Sequence, residues 1–164
     1  MHYHLAQVNV GRLRAPIDDP LIAGFAGALE EINALADAAP GFVWRLQTED
    51  GDATAVRAFE DDTILINLSV WTSLETLADY VYRSDHTAYL RRRAEWFERM
   101  RDVFVALWWV PAGHIPTEAE AVAKLDHLRR HGPTADAFTF RRRFAAPDGG
   151  SAPLAADERD ACPA

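Results

Sequence analysis

Hydrophobic and polar positions along the chain follow two periods, one of two residues and one near 3.6. His4–Val10 places Leu5, Gln7 and Asn9 on one side of an extended segment and Ala6, Val8 and Val10 on the other, which predicts a first strand. Asp19-Pro20 then supplies an N-cap and a first helical residue. Leu21, Phe25, Ala28, Ile32 and Leu35 recur at helical spacing until Pro40-Gly41 ends the pattern. Phe42–Gln47 predicts a second strand, with Phe42, Trp44 and Leu46 opposite Val43, Arg45 and Gln47. Thr54–Phe59 reads as a short extra strand. Thr63–Trp71 is the clearest strand of all, with Ile64, Ile66, Leu68 and Val70 alternating with Leu65, Asn67, Ser69 and Trp71.

Thr72-Ser73 opens a helix through Tyr82, and Ser84 caps a second segment reaching about Arg101. The apolar run Val103–Val110 is expected to be a central strand covered on both faces. Thr117-x-x-Glu120 matches a capping box, ahead of a helix ending at His131-Gly132-Pro133. Ala137–Phe144 reads as a final edge strand. This order implies an α+β chain, a ferredoxin-like antiparallel sheet covered by helices on one face. The other face then needs a cover, and a second copy would supply it, pairing two sheets into a dimeric α/β barrel. Residues 1–144 form the expected domain, and 145–164, rich in Ala, Pro, Gly and Asp, an expected disordered acidic tail.

Composition narrows the classes. With 164 residues and 49% hydrophobic content, disorder throughout is excluded, and one domain is expected. No apolar run approaches the roughly 18 residues of a membrane span. The N-terminus has neither the basic nor the apolar region of a secretory signal. A single cysteine, Cys162, fits a reducing compartment, so a cytoplasmic protein is expected. A net charge of −8 argues against nucleic acid as a partner. Only Lys124 among the 17 basic residues is a lysine. Arginine suits planar, hydrogen-bonded roles, so an arginine on an apolar face is a candidate binding group.

Two such positions stand out. At about 100° per residue, Leu90, Arg93 and Phe97 fall within about 40° of His86, so a histidine and an arginine share an apolar helix face. They are either packed, with the Arg93 head reaching water, or they line a pocket. A histidine there is a candidate general acid/base, because it titrates near neutral pH. One strand face gathers Gln7, Asn9, Arg45, Gln47, Asn67, Ser69 and Trp71, either a polar pocket floor or the interior of a dimer barrel. Asn9 and Asn67 would orient a substrate, and Arg93 or Arg45 would hold an anionic group. Trp44, Trp71, Trp108 and Trp109 could wall a planar ligand. His114, in the loop after the apolar strand, is a second catalytic candidate. His2-x-His4 and the pair His127/His131 lack a further ligand, so no metal is expected. Nucleophile-elbow, P-loop and dinucleotide fingerprints are missing.

Several blocks carry a family resemblance. Leu5-Ala6-Gln7-Val8-Asn9-Val10-Gly11-Arg12, Pro40-Gly41-Phe42-Val43-Trp44-Arg45-Leu46, Asn67-Leu68-Ser69-Val70-Trp71 and Leu107-Trp108-Trp109-Val110-Pro111-Ala112-Gly113-His114 resemble domain-of-unknown-function family 3291. Tyr82-Arg83-Ser84-x-His86, Arg91-Arg92-Arg93-x-Glu95-Trp96-Phe97 and Phe138-Thr139-Phe140-Arg141-Arg142 extend the resemblance from residue 4 to about 144. It implies the dimeric α/β-barrel superfamily, alongside antibiotic-biosynthesis monooxygenases and haem-degrading monooxygenases. The haem-degrading branch uses an Asn on the first strand, a Trp in a helix and a later His. Asn9 matches the first, but Tyr80 stands at the Trp position and Leu90 or Arg91 near that of the His, with His86 a turn too early. No cofactor is therefore expected, haem included. The implied function is a homodimer binding a small aromatic or polyketide-like molecule, as a cofactor-independent monooxygenase-like or isomerase/cyclase-like enzyme. The alternative is a non-catalytic ligand-binding or structural dimeric module.

Overall fold

β1 (Tyr3–Arg12) runs through the sheet interior, antiparallel to β3 (Ile64–Trp71) on one side and to β4 (Val105–Pro111) on the other. The short β2 (Phe42–Arg45) completes the order β2-β3-β1-β4. The structure is a computed structural model that describes residues 2–48, 59, 61, 63–100 and 102–149. Its helices are α1 (Ala23–Ala38), entered through a 3-10 turn at Pro20–Ile22, then α2 (Leu74–Arg83), α3 (His86–Trp96) and α4 (Glu118–His131). This is a ferredoxin-like α+β architecture.

Local chemistry sets the helix starts. The Asp19 carboxylate accepts the Leu21 N–H at 2.9 Å, Ser73 and Thr76 form a reciprocal capping box, and Thr117 accepts the Glu120 N–H at 3.1 Å. Strand alternation sorts the core into two layers. Ala6, Val8, Val10, Leu68, Val70 and Trp108 pack on one face against Ala121, Leu125 and Leu128 of α4. Leu5, Trp71 and Leu107 pack on the other against Leu74, Leu77 and Val81 of α2, with Phe138 and Phe140. A third cluster joins Ile22 and Phe25 to Leu13, Trp96 and Phe97. Each such buried aliphatic or aromatic side chain contributes about 1.5–3 kcal/mol.

Several features depart from the sequence pattern, the N-cap of α3 among them, which is Asp85 rather than Ser84. The 3-10 turn and α1 together turn Ile22, Phe25 and Ala36 inward and leave Leu21 exposed, a shift in the phase of the stripe. α3 stops at Trp96 rather than Arg101, because Phe97 leaves the helix to bridge Leu13, and the Glu98 N–H reaches the Arg12 carbonyl at 2.8 Å. β4 is an edge strand, not a central one. Its apolar run is accounted for by layers on both faces and by two backbone hydrogen bonds between Leu107 and Phe138. Around that pair, 137–144 forms an isolated bridge in place of a strand. Finally, α4 lies on the face that the sequence left open. Ile66, Leu68 and Val70 there are at most 3% exposed within one chain, so covering that face does not call for a second copy. The expected strand at 54–58 and the tail from 150 onward lie outside the described residues.

Candidate functional site

Between α1, α2, α3 and the sheet lies a cavity of two contiguous lobes, of about 70 and 50 Å3. Each has room for several water molecules or part of a small organic ligand. Asn9, Ile32, Asn33, Arg45 and Asn67 border both lobes.

The floor is the polar strand face. Gln7 Nε2 donates to Asn67 Oδ1 at 2.6 Å and to Ser69 Oγ at 2.8 Å. Asn9 Nδ2 donates to Gln7 Oε1 at 3.1 Å, and Trp71 Nε1 donates to Ser69 Oγ at 2.9 Å. The register puts these groups in line, with Asn9 opposite Asn67 and Gln7 opposite Ser69. This network fixes the amides and leaves some polar atoms over. Among the described residues, no hydrogen bond occupies Asn9 Oδ1, Asn67 Nδ2 or either end of the Asn33 amide on α1. Polar atoms facing a cavity are normally matched by water or ligand.

His86 enters the smaller lobe from the first residue of α3 and is 2% exposed. The α2–α3 corner places it. Ser84 Oγ accepts the His86 N–H at 3.1 Å and donates to the Tyr80 carbonyl. The imidazole lies 4.8 Å from the Tyr80 ring, which in turn stacks on Trp71 at 5.0 Å. Nδ1 sits 3.4 Å from the Val81 carbonyl, a contact that ties the ring to the end of α2.

Of the ten residues given site roles from the sequence, Asn9, Arg45, Asn67, Trp71 and His86 border the cavity. The other five do not, Trp108 among them, which packs in the α4 layer. Trp44 pairs with Val70 and faces the α4 layer, because a bulge between Phe42 and Trp44 brings Phe42 and Arg45 to the cavity side. Arg93 lies over Phe97 and Phe104, its guanidinium carbon 4.7 and 5.4 Å from their ring centres. Trp109 anchors the chain after the bridge, donating Nε1 to the Phe144 carbonyl at 2.8 Å. His114 pairs with Glu120 at 2.8 Å, beyond the opposite face of the sheet. Glu120 also accepts Trp108 Nε1 at 2.9 Å, so its side chain ties two elements together instead of closing a capping box. Burial would raise the Glu120 carboxyl, but the hydrogen bonds from His114 and Trp108 outweigh it and hold its pKa below the ordinary value.

Asn33 and Tyr80 are cavity residues to which the sequence reading gave no site role. For Asn33 a signal was present, since it follows Leu29 by four residues and precedes Ala36 by three on the inward face of α1. Among the described residues, no group of three or more His, Cys, Asp or Glu can hold a metal ion. No helix among them is long and apolar enough to cross a membrane.

The fold defines a small α+β protein with a partly open, amide-floored cavity between its helices and its sheet. The chain belongs to the domain-of-unknown-function family DUF3291, whose model matches residues 4–153. Its fold is similar to that of SnoaB, a cofactor-independent oxygenase from Streptomyces nogalater, at 14% identity and a TM-score of 0.43, over 68% of this chain and 95% of that one. A candidate antibiotic biosynthesis monooxygenase from Nitrosomonas europaea aligns at 15% identity and 0.42, over 70% and 91% of the two chains. A protein of unknown function from Nitrosomonas europaea aligns at 13% and 0.44, over 70% and 96%. These are likenesses of fold. No curated protein matches the chain.

Proposed function

We propose that the cavity binds an uncharged, planar organic molecule of aromatic or polyketide-like kind, and that His86 moves a proton on it. One observation supports this reading: a buried imidazole shares a cavity with Asn9, Asn33 and Asn67, whose amides keep polar ends that no described residue occupies, the exposed Asn67 at its open side. The aromatic surfaces of Phe42, Trp71 and Tyr80 favour a flat ligand. The amides supply donors and acceptors to its oxygens. Removing a proton next to a carbonyl creates an enolate, and in this reading Asn67 Nδ2 is the donor that meets the developing charge. Cofactor-independent oxygenation, isomerisation and cyclisation can each begin with that step, with the His86 imidazole as the general base.

Deuterium uptake at the carbon next to the carbonyl of 2-tetralone, followed by mass spectrometry in heavy water, tests the proposal. The protein should accelerate exchange over buffer, and His86→Gln should lose about 10²–10⁴ of that acceleration while remaining folded. Exchange no faster than in buffer, or equally fast in the variant, contradicts it. Binding without exchange would assign the cavity to a non-catalytic ligand-binding module.

A further inference from the structure

The two lobes differ in kind. Every polar side chain that borders the larger lobe also borders the smaller one. The residues that the larger lobe has to itself are apolar or glycine, among them Phe25, Leu29, Leu65 and Phe97. The smaller lobe alone holds His86 and Tyr80. The apolar wall is also firmly built. Phe97 meets Phe25 edge-on at 5.1 Å between ring centres, and its backbone bridges Leu13. Its ring presses so close to β1 that a Cβ added at Gly11 would lie 2.6 Å from Phe97 Cδ1. An apolar recess joined to a hydrogen-bonding centre has the form of a site for a molecule with two unlike ends.

We infer that the larger lobe is a tail subsite. It takes an apolar extension of a few carbons on a ligand whose planar, hydrogen-bonding head lies beside His86. This rests on the reading of the cavity as a ligand site, and it adds the class of ligand: an uncharged amphiphile such as an alkyl-substituted phenol or hydroxyketone. Leu29, on α1, determines how long the tail can be.

Isothermal titration of the full chain with phenol, 4-ethylphenol, 4-butylphenol and 4-hexylphenol tests this. Affinity should rise about fourfold for each methylene added until the lobe is full, and then stop rising. Leu29→Ala should move that break to a longer tail, and Leu29→Trp to a shorter one. Should the tryptophan variant fail to fold, the wild-type series and Leu29→Ala decide the matter. Affinity that ignores tail length, or a break at the same length in wild type and Leu29→Ala, overturns the tail subsite alone. If phenol and all its homologues fail to bind, the ligand-site reading falls with it.

Discussion

Asp37 on α1 grips Arg45 on β2 through two contacts, Nε to Oδ1 at 2.7 Å and Nη2 to Oδ2 at 3.2 Å. Such a fork-to-fork pair cancels the charge of the one cation bordering both lobes among the described residues. The Arg45 side chain is 12% exposed and that of Asp37 47%, so the arginine is the partner that faces inward. An arginine matched in this way suits the uncharged ligand proposed above.

Breaking the pair should change that preference. In Asp37→Asn, affinity for 4-hydroxybenzoate relative to phenol should rise about tenfold, the worth of one hydrogen bond to a charged group. Competition binding against a fluorescent neutral ligand reads the ratio. An unchanged ratio would mean that Arg45 does not set the charge preference of the cavity.

Much of the fold was legible because its causes are local. Alternation assigned Ala6, Val8 and Val10 to one face and Gln7 and Asn9 to the other, and Asp19, Ser73 and Thr117 announced the helix starts. The failures are long-range. Nothing near Phe97 says that Leu13, more than eighty positions earlier, will draw it out of a helix whose periodicity continues. The apolar run of β4 reads the same whether a strand or the Phe138 segment lies beside it. The site was legible in part for the same reason. A histidine on an apolar helix face and amides on one strand face are periodic signals. The bulge that separates Trp44 from Arg45, and the ion pair that matches Arg45, are not.

Glu120 provides a test that does not involve the cavity. Its carboxyl titrates below the ordinary value of 4.5, so the carboxylate is favoured by the folded state. The stability it contributes is complete above the unfolded-state pKa and is lost as pH falls through the lower folded-state value. Urea unfolding of wild type and Glu120→Gln should therefore differ most near neutral pH and converge in acid. Glu120→Ala should cost about 1–3 kcal/mol at neutral pH, because the buried Trp108 Nε1–H loses its acceptor. A gap between wild type and Glu120→Gln of the same size at all pH values would show that the carboxylate charge plays no part in this contact.

Whether a small neutral molecule lies against His86 and the free amide ends around it is tested most directly by nitrogen-15 NMR. The labelled protein is titrated with 4-butylphenol while the histidine rings and asparagine side chains are observed. The His86 ring resonances and the Asn33 and Asn67 amides should shift together and saturate at one concentration, while exposed His2 and His131 stay still. Saturable binding that moves the exposed histidines and leaves His86, Asn33 and Asn67 unchanged would contradict the proposed site.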